Sequence, residues 1–112
     1  MHSDKVVLCA SSAYEQKYYF NSDFNSLPET VQDELHAICV LYTVDIGGIF
    51  QLLFDEDGKL EMKTEALSAD AMYDDIGAAL RIKKLREEKK ELFESLELFY
   101  KVFYLGEDIE DD

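Results

Sequence analysis

The chain has 112 residues and carries 25 Asp and Glu against 11 Lys and Arg, a formal net charge of −14 at pH 7. That length allows one domain with one core, and a hydrophobic content of 47% with seven Tyr and seven Phe argues against disorder. The acidity disfavours nucleic acid and anionic lipid, and no apolar run approaches the ~18 to 20 residues of a membrane span.

In chain order, MHSDKVVLCA offers only a short apolar patch behind Asp4 and Lys5. No signal peptide is expected, and a cytoplasmic location follows by elimination. Val6 to Cys9 reads as a strand covered on both faces. Ser11-Ser12 supplies a turn, and the aromatic, partly alternating YEQKYYF from Tyr14 to Phe20 reads as a second strand. Ser26-Leu27-Pro28-Glu29 has the spacing of a capping box with Pro28 in the first turn. Val31, Leu35, Ile38 and Tyr42 then recur at steps of four, three and four, which predicts an amphipathic helix to Thr43 or Val44, ended by Gly47-Gly48.

Ile49 to Phe54 (IFQLLF) is broken only by Gln51 and reads as a central strand covered on both faces. Asp55-Glu56-Asp57-Gly58 is a hairpin loop with glycine at the left-handed position. Leu60, Met62 and Thr64 alternate with Glu61, Lys63 and Glu65 in the returning strand. From about Ala71 to Tyr104 runs one long helical pattern, capped by Ser68 or Asp70. Ile82, Leu85, Lys89, Leu92, Leu96, Phe99 and Phe103 follow steps of three and four, with Lys89 the one polar member. The apolar face before Gly77 (Tyr73, Ile76, Leu80) is offset from the face after it, so a kink near Gly77 to Ala79, or two abutting helices, is expected.

The elements give a single α+β domain over residues 1–106, in the order β-β-α-β-β-α. Its four-stranded, mainly antiparallel sheet carries one medium helix and one long C-terminal helix. Residues 107–112 form an acidic tail expected to be flexible.

Few residues suggest chemistry. The loop DEDGKLE resembles a calcium loop, but aligning Gly58 on the loop's glycine puts Leu53 and Thr64 at two ligand positions, which favours a solvated turn. His36 and Cys39 lie three apart on one helix and supply at most half of a zinc site. Cys39 sits beside the Leu35/Ile38 stripe, and Cys9 follows an apolar run without a nucleophile signature. Both are expected as reduced, buried thiols. Paired acids such as Asp74-Asp75 and Glu87-Glu88 point in different directions on a helix and are ordinarily solvated. No glycine-rich phosphate loop, metal set or catalytic residue is read here, and no cofactor is expected.

The charge is unevenly spread. Residues 81–90 (RIKKLREEKK) hold six cations against two Glu, a net +4 that leaves −18 on the rest. Arg81, Lys83, Lys84, Arg86, Lys89 and Lys90 are therefore the candidate protein-contact residues. The competing reading is a solvated helix laced by the i,i+4 pairs Lys83–Glu87, Lys84–Glu88, Lys90–Glu94 and Glu97–Lys101. Phe93, Tyr100 and Tyr104 widen the apolar face of the C-terminal half, which suits packing on a sheet. The narrower stretch from Ile82 to Lys89 suits a helix–helix contact with a second copy.

The segments VVLCASSAYEQKYYFN, LPETVQDELHAICVLYTVDIGGI, FDEDGKL, YDDIG (Tyr73 to Gly77) and LREEKKELFESLELFYKVFYLGED together resemble a family of small acidic bacterial proteins of unknown function. The resemblance spans nearly the whole chain. It implies a stand-alone bacterial cytosolic domain and carries no assigned activity or catalytic residues.

A strong fold pattern without chemistry predicts a non-enzymatic interaction or adaptor module. It would contact another protein, or itself as a homodimer through the long helix, with no nucleic acid and no membrane. The basic band and the aromatics of Tyr14 to Phe24 are the candidate surfaces. The alternative is a small-molecule-binding or enzymatic domain with a pocket between sheet and helices, lined by Tyr14, Tyr18, Tyr19 and Tyr42.

Overall fold

The computed structural model describes residues 5–106. Strands β1 (Val6–Ser12), β2 (Lys17–Phe20), β3 (Ile49–Phe54) and β4 (Leu60–Glu65) form one antiparallel sheet in the order β2-β1-β3-β4. Helix α1 (Glu29–Asp45) links β2 to β3, and α2 (Asp75–Glu88) and α3 (Lys90–Phe103) follow β4. The class is α+β, with three α-helices in the order β-β-α-β-β-α-α. The single long C-terminal helix of the sequence reading is thus corrected to two.

The division falls at Lys89, whose backbone leaves helical geometry (φ −108°, ψ 20°). Hydrogen bonds still run through it, from the Lys89 N–H to Leu85 O and from the Phe93 N–H to Lys89 O. Lys89 is the polar member of the apolar stripe, and here its ammonium turns to Glu34 of α1 at 2.8 Å. The helix also begins later than the pattern suggested. Asp74 is its cap, accepting the Ile76 and Gly77 N–H groups at 3.1 and 3.0 Å. Gly77 thus sits in a capped first turn and makes no kink.

Other local expectations shift for similar reasons. Ser11 and Ser12 extend β1 instead of turning, because Ser11 is buried and its hydroxyl donates to the Cys39 carbonyl at 2.7 Å. The turn moves to residues 13–16, where Ser12 Oγ accepts the Glu15 N–H. Helix α1 starts on Pro28 without a side-chain cap. In place of a capping box, the Gln32 amide reaches back to the carbonyls of Asn25 and Leu27. The β3–β4 hairpin forms as expected. Asp55 Oδ1 accepts the Asp57 and Lys59 N–H groups at 2.9 Å, and Gly58 takes φ 85°. The acidic tail lies outside the described residues.

The core fills one side of the sheet. Phe50, Leu52 and Phe54 of β3 alternate toward the helices, in register with Ser11, Cys9 and Val6 of β1. Tyr42 of α1 stacks on Phe50 at 4.6 Å, and Tyr100 of α3 stacks on Phe54 at 4.2 Å. Phe24, in a short 3-10 turn, joins Phe54, Tyr100 and Tyr104 in the same aromatic layer. Ala78 and Leu85 bring α2 onto this cluster. Each fully buried aromatic or leucine here contributes about 1.5–3 kcal/mol. The alternate residues of the central strands, Val7, Ala10, Ile49, Gln51 and Leu53, lie outside that cluster on the opposite face. Helices therefore cover β1 and β3 from one side, which corrects the doubly covered reading. The apolar run Leu52-Leu53-Phe54 of β3 reflects Leu53, buried on the far face opposite Val7 and Glu61.

Candidate interaction face between α1 and α2

The six cations of residues 81–90 divide by function. The Arg81 guanidinium donates to Asp45 Oδ2 at 2.7 Å, and the Lys89 ammonium donates to Glu34 Oε2 at 2.8 Å. These two ion pairs tie α2 to α1 at both ends of their shared length and set the two helices antiparallel. Lys84 lies 3.9 Å from Glu88 one turn on. Lys83, Arg86 and Lys90 form no ion pair among the described residues and are exposed. Of the four helical pairs read from the sequence, Lys84–Glu88 is within ion-pair distance. Glu97 instead accepts the Leu60 N–H at 2.8 Å, fastening α3 to the start of β4.

Between the two interhelical ion pairs lies a groove of about 270 Å³. Ile38 and Leu85 form its buried floor, with Ala37 and Leu41 on the α1 wall and Lys84 on the α2 wall. Above it the outward faces of both helices are apolar. Leu41 and Val44 of α1 are 56% and 71% exposed, and Ile76 and Leu80 of α2 are 75% and 63% exposed. The Arg81–Asp45 pair joins the first half of α2 to the C-terminal end of α1. Ile76, Leu80 and Lys83 follow helical spacing along one ridge, so the apolar surface grades into the unpaired cations. Exposed aliphatics scattered singly are ordinary; here two stand on each of two helices joined by ion pairs.

The four tyrosines assigned to a pocket are dispersed. Tyr42 is fully buried, and its hydroxyl meets that of Tyr73 at 2.7 Å. Burial, and next the Tyr73 hydroxyl, push its pKa up. Tyr14 donates to Asp70 Oδ2 at 2.7 Å and accepts the Leu67 N–H, bracing the segment before α2. The hydrogen bond to Asp70 is the main cause raising its pKa. Tyr19 points to the far side of the sheet, 53% exposed. Tyr18 alone lines a cleft, with His36 edge-on to its ring at 4.5 Å. The structure does not bring the four together.

The interhelical partners Glu34 and Asp45, and the second apolar face of Leu41 and Val44, were absent from the sequence reading. The signal for the face was there. Leu41 and Val44 fall between the core positions of α1, as Ile76 and Leu80 do on α2. Among the described residues no three His, Cys, Asp or Glu side chains converge as metal ligands would, and no helix is long and apolar enough to cross a membrane.

Together these features define a two-layer α+β protein with an apolar helix pair flanked by cations. The chain belongs to the family of unknown function DUF6145, which matches residues 5–108 and bears out the resemblance read from the sequence. No curated protein and no solved structure matches it.

Proposed function

We propose that this protein is a non-enzymatic interaction module of the bacterial cytoplasm that binds a partner through the outward face of α1 and α2. The reading rests on one observation: Leu41, Val44, Ile76 and Leu80 are mostly exposed on two helices held side by side by the Arg81–Asp45 pair. The occupant that fits is an amphipathic helix of another protein, laying an apolar edge along the groove. Its flanks are acidic, since Lys83 and Lys84 border the apolar residues and Lys83 forms no ion pair among the described residues. Two reduced, buried thiols suit a reducing compartment.

The test is site-specific photo-crosslinking in native lysate, with a benzophenone residue replacing Leu80 and, as the far-face control, Tyr19. A discrete adduct from position 80 alone is expected. It should disappear when Leu41→Glu is combined with Lys83→Glu and Lys84→Glu, changes at exposed sites that leave thermal unfolding nearly unaltered. An adduct of twice the chain's own mass would replace the foreign partner with a second copy. Equal labelling from both faces would overturn the reading.

A small-molecule reading keeps one observation in its favour. A cleft of about 520 Å³ opens between the β1–β2 turn and α1, lined by Ser11, Tyr18, His36 and Thr43.

A further inference from the structure

Cys9 of β1 and Cys39 of α1, 30 positions apart, place their sulfurs 3.5 Å from each other. Both residues are fully buried. The approach is set by the backbone as well as by side-chain rotamers. Two residues along the same face of β1, Ser11 Oγ donates to the Cys39 carbonyl at 2.7 Å and meets Thr43 Oγ1 at 3.2 Å. Strand and helix are therefore pinned together at the cysteines. A disulfide needs the sulfurs at about 2.05 Å, so about 1.5 Å of closure remains, within reach of small side-chain rotations.

Ser11 and Thr43, which pin strand to helix beside the pair, line with Tyr18 and His36 the cleft between the β1–β2 turn and α1. The Tyr18 hydroxyl is buried there facing the Cys9 thiol, and has no oxygen or nitrogen hydrogen-bond partner among the described residues. A small hydroxylic molecule that entered the cleft would satisfy it.

We propose that Cys9 and Cys39 are a dithiol that hydrogen peroxide converts to a disulfide, locking β1 to α1. The Cys9 sulfur gives up its proton and attacks one peroxide oxygen. The O–O bond breaks, and hydroxide leaves and is protonated to water, with Cys9 now a sulfenic acid. The Cys39 sulfur then gives up its proton and attacks the Cys9 sulfur. The S–S bond forms, the S–O bond breaks, and a second water departs. Two thiols have lost two electrons and two protons, and one peroxide has become two waters. The hydrogen bond with Cys9, and then burial, hold the Cys39 thiol protonated, which leaves Cys9 as the sulfur that meets peroxide first.

The experiment treats the folded wild-type protein with hydrogen peroxide, quenches it, and unfolds it in iodoacetamide. The expected product has lost about 2 Da, takes no alkyl group until reduced, and yields a Cys9–Cys39 linked peptide on digestion. Its Tm under non-reducing conditions should exceed that of the reduced protein, because the bridge closes a long loop in the unfolded chain. Cys39→Ser should stop at a dimedone-trappable sulfenic acid on Cys9. If that variant does not fold, the wild-type peptide map decides alone. Full alkylation of both cysteines after peroxide would overturn the proposal. So would masses showing only added oxygen, or linkage between two chains.

Discussion

Helices α2 and α3 are consecutive and equal in length, 14 residues each, yet they are held by different forces. Helix α3 buries Phe93, Leu96 and Tyr100 in the core and stacks its last turns on Phe54 and Phe24. Helix α2 buries only Ala78 and Leu85 and turns Ile76 and Leu80 to solvent. Two ion pairs to α1 hold it where aromatic packing holds α3. The contrast teaches that two offset apolar faces in one helical pattern serve two purposes. The stripe through Leu85, Phe93 and Leu96 builds the fold, while the Ile76/Leu80 face stays in solvent, which is what a contact face requires.

The largest effects expected are those that separate the two helices. Phe93→Ala and Leu96→Ala should each cost about 2–5 kcal/mol in urea unfolding, as large-to-small changes in a packed core do. Ile76→Ala and Leu80→Ala should cost no more than about 0.5 kcal/mol, because those side chains already face water. A loss at Leu80 as large as that at Phe93 would break the comparison, since α2 would then be packed like α3.

A smaller effect tests how α2 is held. Arg81→Gln and Lys89→Gln should each destabilise by about 0.5–1 kcal/mol at low salt and by less at high salt, the range for partly exposed ion pairs. Combined, they should speed amide hydrogen exchange along α2 while leaving α3 protected. Equal loss of protection in both helices would mean that they open as one unit.

The sequence made the hairpin of β3 and β4 legible because its cues are local. Alternation at Leu60, Met62 and Thr64 and the Asp55/Gly58 turn chemistry fix it without help from distant residues. Helix α1 was legible on its core side for the same reason, through the spacing of Leu35, Ile38 and Tyr42. What could not be read is long-range. Lys89, at the break, pairs with Glu34, 55 residues away, and the hydroxyl of buried Ser11 is satisfied by a carbonyl of α1. The candidate face was half legible. The +4 band stood out as composition, but which cations pair with α1 is decided by how the helices dock. The four tyrosines suggested a pocket only because sequence proximity and residue type were read as spatial convergence.

The finest comparison lies at the start of α2, where the sequence placed a kink and the structure places a cap. A Cβ on Gly77 would lie 2.6 Å from Asp74 Oδ2, the carboxylate that caps the helix. Gly77→Ala should gain about 0.5–1 kcal/mol of helix propensity. It should lose a similar amount as the Asp74 side chain is pushed from the N–H groups it accepts. The net change should be within about 0.5 kcal/mol of zero by that balance. The double-mutant cycle resolves the two terms. With Asp74→Ala the obstruction is gone, and the same Gly77→Ala change should stabilise by about 0.5–1 kcal/mol, a coupling that only direct contact produces. An identical effect in both backgrounds would mean that Asp74 and Gly77 act independently. The capping geometry would then not be what sets the first turn of α2.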